Sequence, residues 1–178
     1  MNDFKGFSKK TVQFFKQLKK NNTRQWFEAH KNDYETHVKQ PAAEFVTSMG
    51  EVLEEFVPAI NAIPKVNQSL FRINRDTRFS QDKTPYKTNL GIWFWEGMQK
   101  RMECSGFYFH LDTDTIMFGA GLYMMPKHIL KLYRDAVVEK KGGLALRKMA
   151  GQMKKNGLEL KGQHYKRNPA GYDASHEN

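Results

Sequence analysis

Apolar residues recur at helical spacing over the first third of the chain. Val12, Phe15 and Leu18 lie on one face of a Lys-rich segment, and the pair Asn21-Asn22 predicts its end. A second helix is expected to start at Asn22 or Thr23. Its apolar face carries four side chains spaced four apart: Trp26, His30, Tyr34 and Val38.

A third helix follows with the most regular helical period in the chain. Its apolar positions run through residues 42–56, and Val57-Pro58 predicts its end. Pro41 marks either a kink or the first turn of this helix. The N-terminal part of the chain is therefore expected to be helical.

The middle of the chain changes to a period of two, which is typical of half-buried strands. The alternating segments are residues 70–79, 91–96, 107–112 and 116–123. Asp112-Thr113-Asp114 predicts a tight turn, and therefore a hairpin. Such short connections favour an antiparallel sheet of about four or more strands. We expect the apolar helices to cover Trp93 and Trp95; exposed, these rings would instead offer a partner surface.

Helical spacing returns after Pro126, with a buried stripe of Ile129, Leu130, Tyr133 and Val137. Gly142-Gly143 predicts a break, and a short helix is expected to continue to Gly157. The order of helices, sheet and helices indicates an α+β fold. A length of 178 residues suits a single domain, which we expect to span residues 1–178.

Composition narrows the class of protein. The formal net charge of +10 favours anionic partners such as nucleotides or nucleic acid, although a solvated basic surface remains the alternative. No apolar run approaches the roughly 20 residues that span a bilayer, so no membrane partner is expected. The lone Cys104 excludes an internal disulfide and a Cys-based zinc finger. The first ten residues do not resemble a secretory signal, and we expect a cytoplasmic location.

The most distinctive chemistry lies between Arg72 and Lys87. If residues 71–79 form a strand, one face carries Phe71, Ile73 and Phe79 towards the core. The other face then carries Arg72, Asn74, Asp76 and Arg78, and the following turn brings Lys83, Tyr86 and Lys87 towards this row. Three arginines and two lysines face Asp76 and Asp82, a surplus of three positive charges. Because arginine binds carboxylate and phosphate in a bidentate manner, this cluster predicts an anion site.

These residues resemble the signature of an uncharacterised microbial family catalogued as domain of unknown function 2461. The matching positions are Arg72, Arg75, Asp76, Arg78, Phe79, Asp82, Lys83 and Tyr86. Residues 22–28, 106–110 and 119–123 are similar to further segments of that family. Its members continue some tens of residues past the point that matches Gly171, so we expect this chain to lack a C-terminal segment. The resemblance supports the fold and implies no activity.

The leading hypothesis is a module that binds a phosphate-bearing or other anionic ligand, either a nucleotide or nucleic acid. In this hypothesis the anion is held by Arg72, Arg75, Arg78 and Lys83, Tyr86 orients it, and Arg24 adds a further guanidinium group. Asp76 would fix the guanidinium geometry. One alternative is a hydrolase or transferase acting on an anionic substrate, with Asp76 as general base or metal ligand. The other alternative is an interaction protein in which the cluster is a structural ion-pair network.

No metal site or cofactor is predicted from residue spacing. The pair His30 and His37 and the pair His110 and Asp112 each share a face, but neither pair has an established ligand spacing. A metal stays open only if Asp76 and Asp82 converge with His110 and Asp112. No Walker or Gly-x-Gly-x-x-Gly loop is present, and the pattern leaves the oligomeric state open.

Overall fold

The computed structural model describes residues 4–158, 167–173 and 175–177. The chain divides into two compact units, Met1–Met124 and Met125–Asn178. The order of elements is helices, a four-stranded antiparallel sheet and helices, which confirms the predicted α+β class. The expectation of a single domain stays a prediction.

The N-terminal unit begins with the predicted helices. They are α1 (Lys9–Lys20), α2 (Arg24–Ala29), α3 (Lys31–Tyr34) and α4 (Gln40–Glu54), with a π-helical turn at Glu35–Lys39 between the last two. Thr23 caps α2, because its hydroxyl accepts a hydrogen bond from the Trp26 N–H at 3.2 Å. Pro41 lies in the first turn of α4, where a missing N–H costs nothing. The interruption at His30 divides the predicted second helix in two.

Four antiparallel strands form the sheet. They are β1 (Ile60–Asn61), β2 (Leu90–Glu96), β3 (Ser105–Leu111) and β4 (Ile116–Leu122), and they lie side by side in this order. The Asp112 carboxylate accepts hydrogen bonds from the N–H groups of Asp114 and Thr115, both at 2.7 Å. This turn joins β3 to β4 and confirms the predicted hairpin.

The predicted strand over residues 70–79 is wrong. Only isolated bridges occur there: Leu70 pairs with Val66 and with Ile92, and Asn74 pairs with Tyr86. Phe79 is 95% exposed and does not reach the core. Local hydrogen bonds from charged side chains compete with a strand ladder, as when Lys83 donates to the carbonyl of Thr77 at 2.9 Å. The segment is therefore an irregular loop, held at a few points.

The main core lies between one face of the sheet and the N-terminal helices. Phe45 of α4 packs against Phe94 of β2 and Phe109 of β3, with ring centroids 6.3 and 4.7 Å apart. Phe15 and Leu18 of α1 are fully buried in the same cluster. This layer fixes the sheet against α1 and α4 and leaves the opposite sheet face to other segments.

That opposite face carries Trp93 and Trp95, both of which are buried. Their cluster contains Cys104, and it is covered by Ile63, Phe71, Met102 and Tyr108 rather than by helices, contrary to expectation. The Trp93 indole N–H donates to the carbonyl of Arg101 at 2.8 Å. Because both rings are enclosed, they do not form the exposed partner surface considered above.

The C-terminal unit contains α5 (Lys127–Val138) and α6 (Lys140–Lys155). The break between them lies at Glu139, and the predicted break at Gly142-Gly143 is wrong. The Glu139 carboxylate caps α6 by accepting a hydrogen bond from the Gly142 N–H at 2.9 Å. A Cβ atom on Gly142 would lie 2.2 Å from the carbonyl oxygen of Ala136, so glycine is required for a close approach. None of the helices in the described part of the chain has the length and apolar character needed to cross a membrane.

Candidate functional site

The turn between α1 and α2 is joined to the cluster segment by one amide side chain. The Asn22 side chain donates to the carbonyl of Tyr86 at 2.9 Å and accepts from the Tyr86 N–H at 3.1 Å. The Tyr86 ring is buried and stacks on Phe27 of α2, with centroids 4.2 Å apart. Burial raises the pKa of Tyr86, so its phenol is neutral. These contacts hold α2 beside residues 74–86.

A polar pocket of about 380 Å³ lies between these two segments, and we call it the Arg24 pocket. It is lined by Asn22, Thr23, Arg24, Asn74, Arg75, Thr77, Lys83, Pro85 and Tyr86. Three of these residues are cationic, and none of the lining residues is acidic. Such a lining favours a ligand with negative charge.

The Arg75 guanidinium is held in place by a local network. It donates to the carboxylate of Asp82 and, at 2.6 Å, to the hydroxyl of Thr84. The backbone N–H of Thr84 donates to the same carboxylate at 2.9 Å. This hydrogen bond, together with those from Arg75 and the Thr84 hydroxyl, lowers the pKa of Asp82 to about 2. Arg75 thus has a fixed orientation on the pocket wall.

Asp76 and Arg78 form a second pair outside the pocket. The Arg78 side chain donates two parallel hydrogen bonds to the carboxylate, at 2.9 and 2.7 Å. These bonds lower the pKa of Asp76 to about 2. Arg78 is 76% exposed, and neither residue lines the Arg24 pocket. A carboxylate that is so weakly basic and already bonded is poorly suited to accept a proton from a substrate.

The structure therefore divides the residues predicted from sequence. Arg24, Arg75, Lys83 and Tyr86 share the Arg24 pocket, but Arg72 lines a separate groove beside Glu28. Sequence reasoning missed Asn22 and Thr23. The signal is present in residues 22–28, which resemble a family segment and of which the sequence hypothesis places only Arg24 in the site.

The acidic residues considered for a metal do not converge. Asp76 and Asp82 belong to the two ion pairs, whereas the His110 ring contacts Asp112 at 3.1 Å. Hydrogen bonds from the Asp114 N–H and from His110 lower the pKa of Asp112. Within the described ranges, no group of three or more His, Cys, Asp and Glu residues has a geometry that could hold a metal ion.

Comparison with known proteins adds a family but no activity. The profile of the family described as conserved hypothetical protein DUF2461 matches residues 10–178. No match was found among curated proteins or among solved structures. The matched region covers nearly all of the chain and includes every residue of the Arg24 pocket. The chain belongs to the DUF2461 family.

Proposed function

We propose that the chain binds a phosphate-bearing ligand, such as a nucleotide, in the Arg24 pocket. The observation that carries this proposal is a pocket wall with three cationic side chains and no acidic lining residue. Its volume of about 380 Å³ lies within the range of roughly 300–1,000 Å³ that is typical of small-ligand sites.

The hydrogen bonding of the three cations supports an anionic ligand. Arg75 is oriented by Asp82 and Thr84, and Lys83 donates to the neutral carbonyl of Thr77. The Arg24 side chain is exposed and forms no hydrogen bond or ion pair within the described part of the chain. Arg24 and Lys83 thus have no carboxylate partner within the described part of the chain. A phosphate group bound in the Arg24 pocket would supply that partner.

The long-range field of the protein acts in the same direction. A formal net charge of +10 raises the local concentration of anions and increases their association rate. We also infer a cytoplasmic location, because a chain with a single, buried cysteine does not rely on disulfides for its stability.

A structural role for the cluster is the competing candidate. Arg75 with Asp82 and Arg78 with Asp76 are two formed ion pairs, and both tie one part of the loop to another. This role explains Arg75, Arg78 and both carboxylates. It does not explain Arg24, whose side chain contacts no carboxylate in the described ranges, and it gives Lys83 only the bond to the Thr77 carbonyl.

The test is a thermal-shift screen with ATP, inorganic pyrophosphate, a short single-stranded DNA and a neutral nucleoside. We expect the first two to raise the melting temperature of the wild type and the nucleoside to have no effect. The double variant Arg24→Gln, Lys83→Gln should lose the shift. The variant Lys16→Gln, which removes one charge at an exposed position of α1, should retain it.

Two results would reject the proposal. One is the absence of a shift with ATP, pyrophosphate and DNA alike at millimolar concentration, which would favour the structural role. The other is an equal shift in the wild type and the double variant, which would place the anion elsewhere. A shift with DNA alone would mean that the pocket reads a polymer backbone rather than a small ligand.

A further inference from the structure

A second and larger pocket lies on the sheet face opposite the main core, and we call it the Lys87 pocket. Its volume is about 840 Å³. Its floor is formed by residues of β2, β3 and β4 on this sheet face. Trp93 pairs with Tyr108 across β2 and β3, and Tyr108 pairs with Gly119 across β3 and β4. Phe71, Lys87 and Met102 stand at its sides. Most of this lining is apolar, as in pockets that bind organic ligands.

Glycines leave part of the floor without side chains. A Cβ atom at Gly119 would meet only the Cβ atom of Tyr108, at 4.0 Å, and one at Gly121 would meet nothing within 4 Å. Among the residues that the structure describes, no packing contact therefore explains the small residue at Gly119. The bare backbone, next to the Tyr108 ring, provides a flat surface on which a planar group can lie.

Two cations contact Phe71 at the side of this floor, and of the two only Lys87 lines the pocket itself. The Lys87 ammonium lies 5.4 Å from the centroid of the Phe71 ring, and the Arg101 guanidinium lies 4.8 Å from it. Arg101 also donates to the carbonyl of Gln68, but neither cation has a carboxylate partner within the described ranges. Burial lowers the pKa of Lys87, and the neighbouring charges of Arg72 and Arg101 lower it further. Half-buried like charges without a counterion are unfavourable for the fold alone, and a bound anion would relieve them.

Polar groups at the rim have a fixed orientation. The His110 ring contacts Asp112 through Nε2 at 3.1 Å and contacts the Tyr108 hydroxyl through Nδ1 at 3.3 Å. The Asn89 amide also approaches Nδ1, at 3.4 Å. If Nε2 donates to the carboxylate, Nδ1 is an acceptor, and both neighbours are oriented towards it. The rim thus offers polar contacts beside an apolar floor.

We propose that the Lys87 pocket binds an amphipathic organic anion, which has a planar aromatic body and one carboxylate, sulfonate or phosphate group. The aromatic body lies on the Gly119 and Tyr108 surface, and the acidic group pairs with Lys87 near Arg101. This inference is independent of the Arg24 pocket, because the two pockets share no lining residue.

The probe for this inference is anilinonaphthalene sulfonate, a planar aromatic anion whose fluorescence rises in apolar sites. Its uncharged analogue phenylnaphthylamine tests the apolar floor alone, and inorganic phosphate tests the charge alone. The variants are Lys87→Met, which keeps an apolar stem without the charge, and Gly119→Leu, which fills the floor. Lys16→Met on α1 is the matched control for the loss of one positive charge.

We expect one saturable site for the sulfonate in the wild type. Lys87→Met should weaken the sulfonate at least about tenfold and phenylnaphthylamine less than about twofold, because only the former loses a charge-assisted contact. Gly119→Leu should remove both. Lys16→Met should bind like the wild type, and inorganic phosphate should bind far more weakly than the sulfonate because it lacks the apolar body.

An unchanged sulfonate affinity in Lys87→Met, or saturable binding that survives in Gly119→Leu, would overturn the proposal. The absence of a saturable site in the wild type would also overturn it. Circular dichroism checks that each variant folds. If Lys87→Met fails this check, Gly119→Leu decides the question, since its side chain points into open space.

Discussion

Asn22 and Tyr86 are 64 positions apart in the sequence, and one amide side chain makes both backbone hydrogen bonds of Tyr86. The Asn22 side-chain amide donates to the Tyr86 carbonyl and accepts from the Tyr86 N–H, which is the hydrogen bonding that a neighbouring strand would provide. Both residues line the Arg24 pocket. The same contact therefore supports the fold and sets the spacing of the proposed anion site.

Asn22→Ala should lower the free energy of unfolding by about 1–3 kcal/mol, because it leaves a backbone donor and acceptor without partners. Chemical denaturation measures this change. Gln25→Ala on the exposed side of α2 is the control and should change stability by less than about 0.5 kcal/mol. Equal effects of the two substitutions would show that the amide contact does not hold the segments together.

The two ion pairs predict a loss of stability in acid. The folded-state pKa values of Asp76 and Asp82 are lowered from 3.8 to about 2. Their contribution is therefore fully present above the unfolded value of 3.8 and is lost as the pH falls through about 2. Asp82→Asn should make the melting temperature fall less steeply between pH 4 and 2 than in the wild type. An identical slope in Asp82→Asn would contradict the hydrogen bonds that Thr84 and Arg75 donate to this carboxylate.

Substitution by alanine should lower the stability of the protein at one glycine of the sheet and leave it nearly unchanged at another. At Gly106 a Cβ atom would lie 2.0 Å from the carbonyl oxygen of Phe94 and 2.9 Å from the Trp93 ring. Gly106→Ala should thus cost about 1–3 kcal/mol or more, since the backbone of β2 must shift. Gly119→Ala meets its nearest atom at 4.0 Å and should be close to neutral. Thermal unfolding of the two variants checks this order, and a Gly119→Ala variant less stable than Gly106→Ala would refute it.

Lys87 should reduce the stability of the unliganded protein. Its pKa is lowered in the fold, so keeping Lys87 charged costs free energy at neutral pH. This cost is full below the folded pKa, falls as the pH rises through it and is gone above the unfolded value of 10.5. After discounting for solvent screening, Lys87→Met should gain under about 1 kcal/mol, or roughly 2–4 °C in melting temperature. A lower melting temperature for Lys87→Met would mean that its contact with Phe71 outweighs the repulsion.

The elements that the sequence predicts well are those in which burial sets the period. The helix through Phe15 and Leu18 and the strand from Leu90 to Glu96 each bury one face or both, so apolar residues reveal them. Residues 70–79 also alternate, but their second row is charged and finds its hydrogen bonds locally. Alternation alone does not distinguish such a loop from a strand. The two-residue strand β1 is too short to produce a pattern.

The site could be predicted only in part, because pairing between side chains depends on how the loop folds. Residue types identified Arg75, Lys83 and Tyr86, but spacing did not reveal that Arg78 pairs with Asp76 outside the pocket. The Lys87 pocket left little trace in the sequence. Part of its floor is formed by glycines, and the space above them becomes apparent only once the three strands are aligned.

Isothermal titration of ATP into the wild type and into the Arg24→Gln, Lys83→Gln double variant tests the central claim most directly. We expect saturable binding near one ATP per chain that weakens as NaCl is raised, because exposed charges are screened. The double variant should bind at least about tenfold more weakly, since two charge-assisted contacts are lost. An affinity that is the same in both proteins, or that is indifferent to salt, would contradict the Arg24 pocket as an anion site.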